Sequence, residues 1–159
     1  MGRQGHAQRK LFVTEDPAIY VAGDACRYFN PVLKSYVQES WKNAEEQGRL
    51  AACNMLGAEE AYSATPWFWS HQYELTLQVT GAPLLGDRSV ERRVDGDSLM
   101  LFHLFEDGRV AGVSSVAIGT AASKDMRIGQ MFIEQQIKPD PASLAEFKNL
   151  RSLLQVAAH

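Results

Sequence analysis

An α+β fold is predicted, an antiparallel sheet of three to five strands followed by C-terminal helices. Three observations lead to it. Residues 72–80 alternate between apolar and polar side chains, the pattern of a half-buried strand. Asp107-Gly108 stands between two apolar runs, Ser98 to Phe105 and Arg109 to Ile118, and Asp-Gly in that setting is the strongest short-range hairpin signal in the chain. Two segments with apolar residues at steps of three and four then close the sequence, and helices that follow a meander make an α+β domain.

The composition of the 159 residues is that of a globular chain, with 45% hydrophobic and 22% charged residues. Sixteen Lys and Arg against nineteen Asp and Glu leave a net charge of −3, which offers no field for gathering nucleic acid or an anionic membrane. No apolar run approaches a membrane span, and 1–10 is polar and basic without an apolar segment, so a cytoplasmic chain with a disordered leader is expected. Cys26 and Cys53 have neither a CxxC partner nor a His at ligand spacing, and two reduced thiols are expected.

In chain order, Ile19 to Ala22 is a β-rich apolar run entered through Asp16-Pro17 and stopped by Gly23-Asp24, so a short buried strand ending in a turn is predicted. Cys26 to Tyr36 has no clean period and reads as an ordered loop. From Gln38 to Leu56, Trp41, Ala44, Gly48, Ala52 and Met55 recur at steps of three and four, with Lys42, Glu45, Glu46 and Arg49 on the other side. A helix is predicted there, its small-residue face around Trp41 suited to close approach to a sheet or a flat ligand. Gly57 stops it. Ala58 to Pro66 is a polar linker and the expected boundary between a segment at 11–58 and a domain at 62–159.

Within 72–80, Tyr73, Leu75, Leu77 and Val79 share one face. Ser89 to Val94 is a charged strand expected at a sheet edge, where its Glu and Arg residues discourage edge pairing. Ser123-Lys124-Asp125 opens a helix with the stripe Met126, Ile128, Met131, Phe132 and Ile133, and Gly129 lies inside it at some cost in propensity. A final helix starts near Asp140-Pro141, with Leu144, Phe147, Leu150 and Leu154 at helical spacing.

The twelve glycines contain no G-x-G, so the dinucleotide fingerprint is missing. Gly81 and Gly86 have P-loop spacing, but Asp87 stands where Lys is required. His6, His71, His103 and His159 make no i, i+4 pair and no Gly-x-Ser-x-Gly occurs, so hydrolytic and metal mechanisms lack their parts. Asp24, at the end of a strand beside the bare backbone of Gly23, can accept hydrogen bonds from ligand hydroxyls, or can merely cap the next loop. Trp41 can stack on a flat conjugated ring or anchor helix to sheet. Glu39 reads first as an acid in the helix's opening turn, favoured by the dipole, and otherwise as a polar ligand contact. Trp67, Phe68 and Trp69 form an aromatic cluster fit for an interface or for a plug between domains. His103 reads as a satisfied, half-exposed strand histidine, and the run Asp87 to Arg93 as a solvated edge.

Two strings carry a family resemblance: Thr14-x-x-Pro17-x-Ile19-Tyr20-x-Ala22-Gly23-Asp24, and Glu39-x-Trp41-x-Asn43-Ala44-x-x-Gln47-Gly48. With Phe68-Trp69-Ser70-His71-Gln72-Tyr73 they resemble FAD-dependent ferredoxin reductases of the oxygenase-coupled type, related to putidaredoxin and biphenyl dioxygenase reductases and more distantly to apoptosis-inducing factor. The match runs from about Leu11 to Leu154 and corresponds to the C-terminal part of such an enzyme, a strand-loop-helix remnant of the FAD-binding α/β domain followed by the reductase C-terminal domain. The resemblance implies that Asp24, with Gly23, holds the ribityl chain of FAD, that Trp41 and Glu39 lie by the flavin, and that Trp69 lines its dimethylbenzene side. His71 departs from the family's Ser-Asp-Gln. The implied function is electron transfer from NAD(P)H through FAD to a ferredoxin or Rieske-type acceptor in the complete enzyme, with no activity and at most weak FAD binding expected of this chain alone. The alternative is a non-catalytic interaction module derived from such a reductase, a homodimer burying the Ile19 strand and the Trp41 helix. An unrelated enzyme using His71 or His103 as base lacks a visible nucleophile or orienting group.

Overall fold

The computed structural model describes residues 12–30, 34–36, 38–146 and 149–156. The expected leader at 1–10 lies outside them. The chain divides into two compact units, one ending at Ala64 and one beginning at Thr65.

In the first unit the predicted strand at Ile19 to Ala22 does not form. Val13 and Tyr20 make a single antiparallel bridge, with Thr14 N–H donating to the Ile19 carbonyl and Val21 N–H to that of Phe12, both at 2.9 Å. Asp16 closes the intervening turn by accepting Ala18 N–H at 2.9 Å. A strand needs a backbone partner along its length, and here the pairing is limited to that bridge; Tyr20, Val21 and Ala22 pack against the core of the unit, while Ile19 is left exposed. Gly23–Ala25 follows as one 3-10 turn. The segment expected as a loop holds two short antiparallel strands, β1 (Tyr28–Asn30) and β2 (Lys34–Tyr36), whose three-residue length is too short for a period to be read.

Helix α1 spans Trp41–Met55, capped by the Ser40 hydroxyl, which accepts Asn43 N–H at 3.4 Å. Its buried side is not the predicted one. Asn43, Gln47, Leu50, Ala51 and Asn54 face inward, while Trp41, Gly48, Ala52 and Met55 are exposed. The three inward carboxamides are tolerated because each is hydrogen-bonded. Phe12, Cys26, Tyr28, Leu50, Ala51 and Tyr62 form the core, with the Tyr62 ring 5.5 Å from that of Phe12 and 5.0 Å from that of Tyr28. Tyr62 thus makes part of the expected linker a core segment, and Asn54 clasps it through the N–H and carbonyl of Glu60, at 2.8 and 2.9 Å.

The second unit is a five-stranded antiparallel sheet. Its strands are β3 (Trp67–Gln72), β4 (Leu75–Gly81), β5 (Arg88–Asp95), β6 (Ser98–Leu104) and β7 (Val110–Ile118), in the order β3-β4-β7-β6-β5. Strand β3 was not anticipated, because its aromatic start shows no alternation of polarity. Tyr73 and Glu74 form the two-residue turn that joins it to β4, with Tyr73 at φ 56° and fully exposed rather than on the strand face. The predicted apolar face of β4 is not the buried one: Leu75 is exposed and Leu77 and Val79 are half-buried, and besides Gly81 the buried residues are Thr76 and Thr80. The register places them with Ala117 and Val113 of β7, on the face that helix α2 (Ser123–Glu134) covers. Met126, Ile128, Phe132 and Ile133 of α2 are buried as expected, and Met131 is half-buried.

The predicted last helix is broken into α3 (Pro141–Glu146) and α4 (Ser152–Val156). The Asn149 side chain accepts Arg151 N–H at 3.1 Å, which turns the backbone away from a continuous helix. Leu144 and Leu150 are buried as expected, and Leu153 is more deeply placed than Leu154; Phe147 lies outside the described residues. Strand β5 is an edge, as its charges predicted, but Arg92 is not solvated. It turns inward, donating through Nε to Asp125 at 3.0 Å and through Nη1 to the Leu144 carbonyl at 3.3 Å.

Candidate functional site

Of the predicted site residues of the first unit, Gly23 is seated directly on helix α1. Gly23 adopts φ +72°, the left-handed region that glycine enters without strain, and a Cβ built on it would stand 3.2 Å from the Ala44 Cβ. Two bare positions, Gly23 and Ala44, therefore let the 3-10 turn lie directly on α1. Gln47, three residues after Ala44, lies on the buried side of α1, while Trp41, three residues before it, is exposed. Gln47, fully buried, accepts Gly23 N–H on Oε1 at 2.9 Å. Cys26 N–H closes the turn onto the Gly23 carbonyl, also at 2.9 Å. Asp24 rides on this anchored turn with its side chain exposed.

Trp41 is 70% exposed at the first position of α1, so its ring is not the core anchor that the alternative reading required. Glu39 is exposed and stands one residue before the Ser40 cap, so it is not the first-turn acid that was expected; the first turn of α1 carries no acidic residue. The turn offers an outward carboxylate and the helix an outward flat aromatic. That pair fits a ligand with sugar-type hydroxyls and a conjugated ring, the chemistry of FAD.

Trp69, the remaining predicted site residue, belongs to the second unit. It lies on β3 opposite Gln78 of β4 and is 39% exposed. His71 is exposed, with Nδ1 3.1 Å from Oγ1 of Thr76, its cross-strand partner. His103 is half-buried on β6 between two hydroxyls, Nδ1 at 3.0 Å from Ser89 Oγ and Nε2 at 2.9 Å from Ser114 Oγ, and burial pushes its pKa below the ordinary histidine value. This is the satisfied strand histidine that was expected. Burial lifts the Cys26 thiol to about 11, which keeps it protonated at neutral pH. Among the described residues no group of three or more His, Cys, Asp or Glu could hold a metal ion, and no helix is long and apolar enough to cross a membrane.

Sequence reasoning named Asn43 and Gln47 as letters of a motif without giving them a task. The available signal was an uncharged polar stripe at helical spacing, Asn43, Gln47 and Asn54, on a helix whose solvent side already has Lys42, Glu45 and Arg49.

Comparison with known proteins gives a consistent answer. The chain is 38% identical over 138 residues to the ferredoxin--NAD(+) reductase component of the anthranilate 1,2-dioxygenase system of Burkholderia cepacia, covering 84% of this chain and 32% of that protein. It is 35% identical over 136 residues to a probable ferredoxin reductase of Castellaniella defragrans, covering 80% of this chain and 32% of that protein. Its fold superposes on the crystal structure of the covalent putidaredoxin reductase–putidaredoxin complex with a TM-score of 0.81 at 26% identity, covering 94% of this chain and 35% of that one. The chain thus spans about a third of the length of the curated relatives it matches. The model of the reductase C-terminal family matches residues 67–154, from the first strand of the sheet into the last helix and more than half of the sequence, and the chain belongs to that family.

Proposed function

We propose that this chain is the C-terminal part of a FAD-dependent ferredoxin–NAD(+) reductase of the kind that serves oxygenases, with 11–58 closing an FAD-binding domain and 62–159 forming the reductase C-terminal domain. The observation that carries this reading is the Gly23–Ala25 turn seated on α1, which presents the Asp24 carboxylate outward on a helix whose first residue is the exposed Trp41. Asp24 would accept hydrogen bonds from the ribityl hydroxyls, and Trp41 would lie against the conjugated ring system, with Glu39 beside it. FAD, when bound, supplies the chemistry that joins a two-electron nicotinamide donor to a one-electron iron–sulfur acceptor; the protein's part is to orient it and to exclude water. The relatives named as ferredoxin--NAD(+) reductase components of dioxygenase systems support NAD(H) as donor and a ferredoxin as acceptor. A cytoplasmic setting agrees with two free cysteines.

The test is a titration of the purified chain with FAD, followed by quenching of flavin fluorescence. Saturable quenching is expected, weakened about tenfold or more by Asp24→Ala, the loss of one or two hydrogen bonds to a charged acceptor. Absence of saturation, or equal quenching by the Asp24→Ala variant, would overturn the reading of the site. NADH-dependent reduction of a ferredoxin is expected to be absent from the chain alone, and its presence would refute that part of the proposal. A second reading, a non-catalytic homodimerising module, draws on the exposed stripe of Trp41 and Met55, 70% and 59% exposed. It predicts a dimer mass by light scattering that Trp41→Glu returns to monomer.

A further inference from the structure

Four polar groups form a directed chain beneath the Asp24 turn. At one end Gly23 N–H donates to Gln47 Oε1 at 2.9 Å; Gln47 Nε2 donates to Asn43 Oδ1 at 3.0 Å; Asn43 Nδ2 donates to the Gln38 carbonyl at 2.8 Å. The ends are backbone groups whose roles cannot be exchanged, since an N–H only donates and a carbonyl only accepts. Every amide orientation between them is therefore set. Asn43 Oδ1 also lies 3.2 Å from the Tyr62 hydroxyl, which is 3.0 Å from Glu46 Oε2. The Tyr62 hydrogen goes to one of these acceptors at a time, and burial together with the Glu46 carboxylate holds its hydroxyl protonated. Gln47 is fully buried and Asn43 nearly so. A residue there needs an acceptor for the turn and a donor for its neighbour, and glutamine supplies both without charge.

We infer that Gln47 and Asn43 are positioning residues, which set the backbone of the Gly23–Ala25 turn and through it the direction of the Asp24 carboxylate toward its ligand. The inference rests on the reading of Asp24 as a flavin contact. The leverage is geometric: Gly23 is tied at its N–H to Gln47 and at its carbonyl to Cys26 N–H, so both of its peptide planes are held and Asp24 is the next side chain outward. Without Gln47 the turn keeps its closing bond but loses its tie to the helix.

The test is amide hydrogen exchange of the full chain in the wild type and in Gln47→Leu, with flavin titration as a second arm. Exchange at Gly23 is expected to quicken about tenfold in the variant, the loss of one hydrogen bond, while the helix amides of Leu50 and Asn54 keep their rates. If all of these amides quicken together, Gln47 merely stabilises the unit and the inference fails; it fails too if Gly23 exchanges as fast in the wild type. Gln47→Glu covers the case in which Leu prevents folding. Protonated, it offers both a donor and an acceptor, so the protection of Gly23 relative to its intrinsic exchange rate should return to the wild-type level as pH falls, with Glu46 as the nearest other acid of the network; relative protection that stays low at every pH would overturn the assignment. In the flavin arm, Gln47→Leu should weaken binding, and should cost nothing further in an Asp24→Ala background, because it acts through Asp24. Additive losses would overturn the positioning role. Failure of the wild type to bind flavin would refute the reading of the site, and the exchange arm alone would then decide whether Gln47 sets the turn.

Discussion

At the residue scale, the Arg92–Asp125 pair and the half-buried His103 of the second unit have consequences that separate cleanly. Arg92 and Asp125 keep only 8% and 16% of their side-chain surface exposed, at 3.0 Å from one another. Removing one partner of such a pair leaves the other's charge without compensation, and Arg92→Ala is expected to cost about 3 kcal/mol in urea unfolding of the chain. Replacing both, as Arg92→Met with Asp125→Leu, should recover most of that, since the two desolvation terms vanish together. His103 differs in being neutral in the fold. Its folded pKa lies below the unfolded value of about 6.5, so the unfolded chain takes up the proton first. Stability from this residue is complete above pH 6.5 and is lost as pH falls through the folded value, where Ser89 and Ser114 face a second ring N–H. Thermal unfolding between pH 7.5 and 5 should show this acid limb, and His103→Gln should flatten it.

At the element scale, two helical glycines look alike in sequence and are opposite in structure. A Cβ on Gly48 would meet nothing within 4 Å, whereas one on Gly129 would stand 2.8 Å from Val113 Cγ2. Gly48→Ala is therefore expected to stabilise α1 by up to about 1 kcal/mol through propensity. Gly129→Ala gains the same propensity and then forces α2 off the sheet, so it should lower the melting temperature; differential scanning calorimetry of the two variants decides both. The same helices show what was legible beforehand. The stripe of α2 was readable because its inward residues are apolar. That of α1 was not, because Asn43, Gln47 and Asn54 are buried through hydrogen bonds to particular partners, and periodicity of hydrophobicity is blind to carboxamides. The β6–β7 hairpin was legible from Asp107-Gly108, while β3 escaped because Trp67, Phe68 and Trp69 precede three polar residues without alternation. Asp24, Gly23, Trp41 and Ala44 could be named from the motif strings, but the seating of the turn on the helix needed coordinates.

At the scale of the whole molecule, each unit has its own core. In the second, Met100, Phe102, Leu104, Val113, Met126, Phe132 and Leu144 are buried between sheet and helices. A piece comprising 65–159 is expected to fold alone, with a cooperative thermal transition by circular dichroism; a non-cooperative melt would show that its core depends on the residues before Thr65. The first unit, with far fewer buried side chains, should melt earlier than the second, since small cores leave little surplus over chain entropy.

The distribution of the three tryptophans has an optical consequence. Trp41 is the sole indole of the first unit, and Trp67 with Trp69 are the two of the second. Emission from the chain is thus a sum of contributions from the two units, that of the first coming from an indole largely open to water. A collisional quencher such as acrylamide should extinguish the Trp41 share first, and Trp41→Phe should leave a spectrum that reports on the sheet alone. The molecule carries its own two-colour ruler, by which the fate of either unit can be followed without a label.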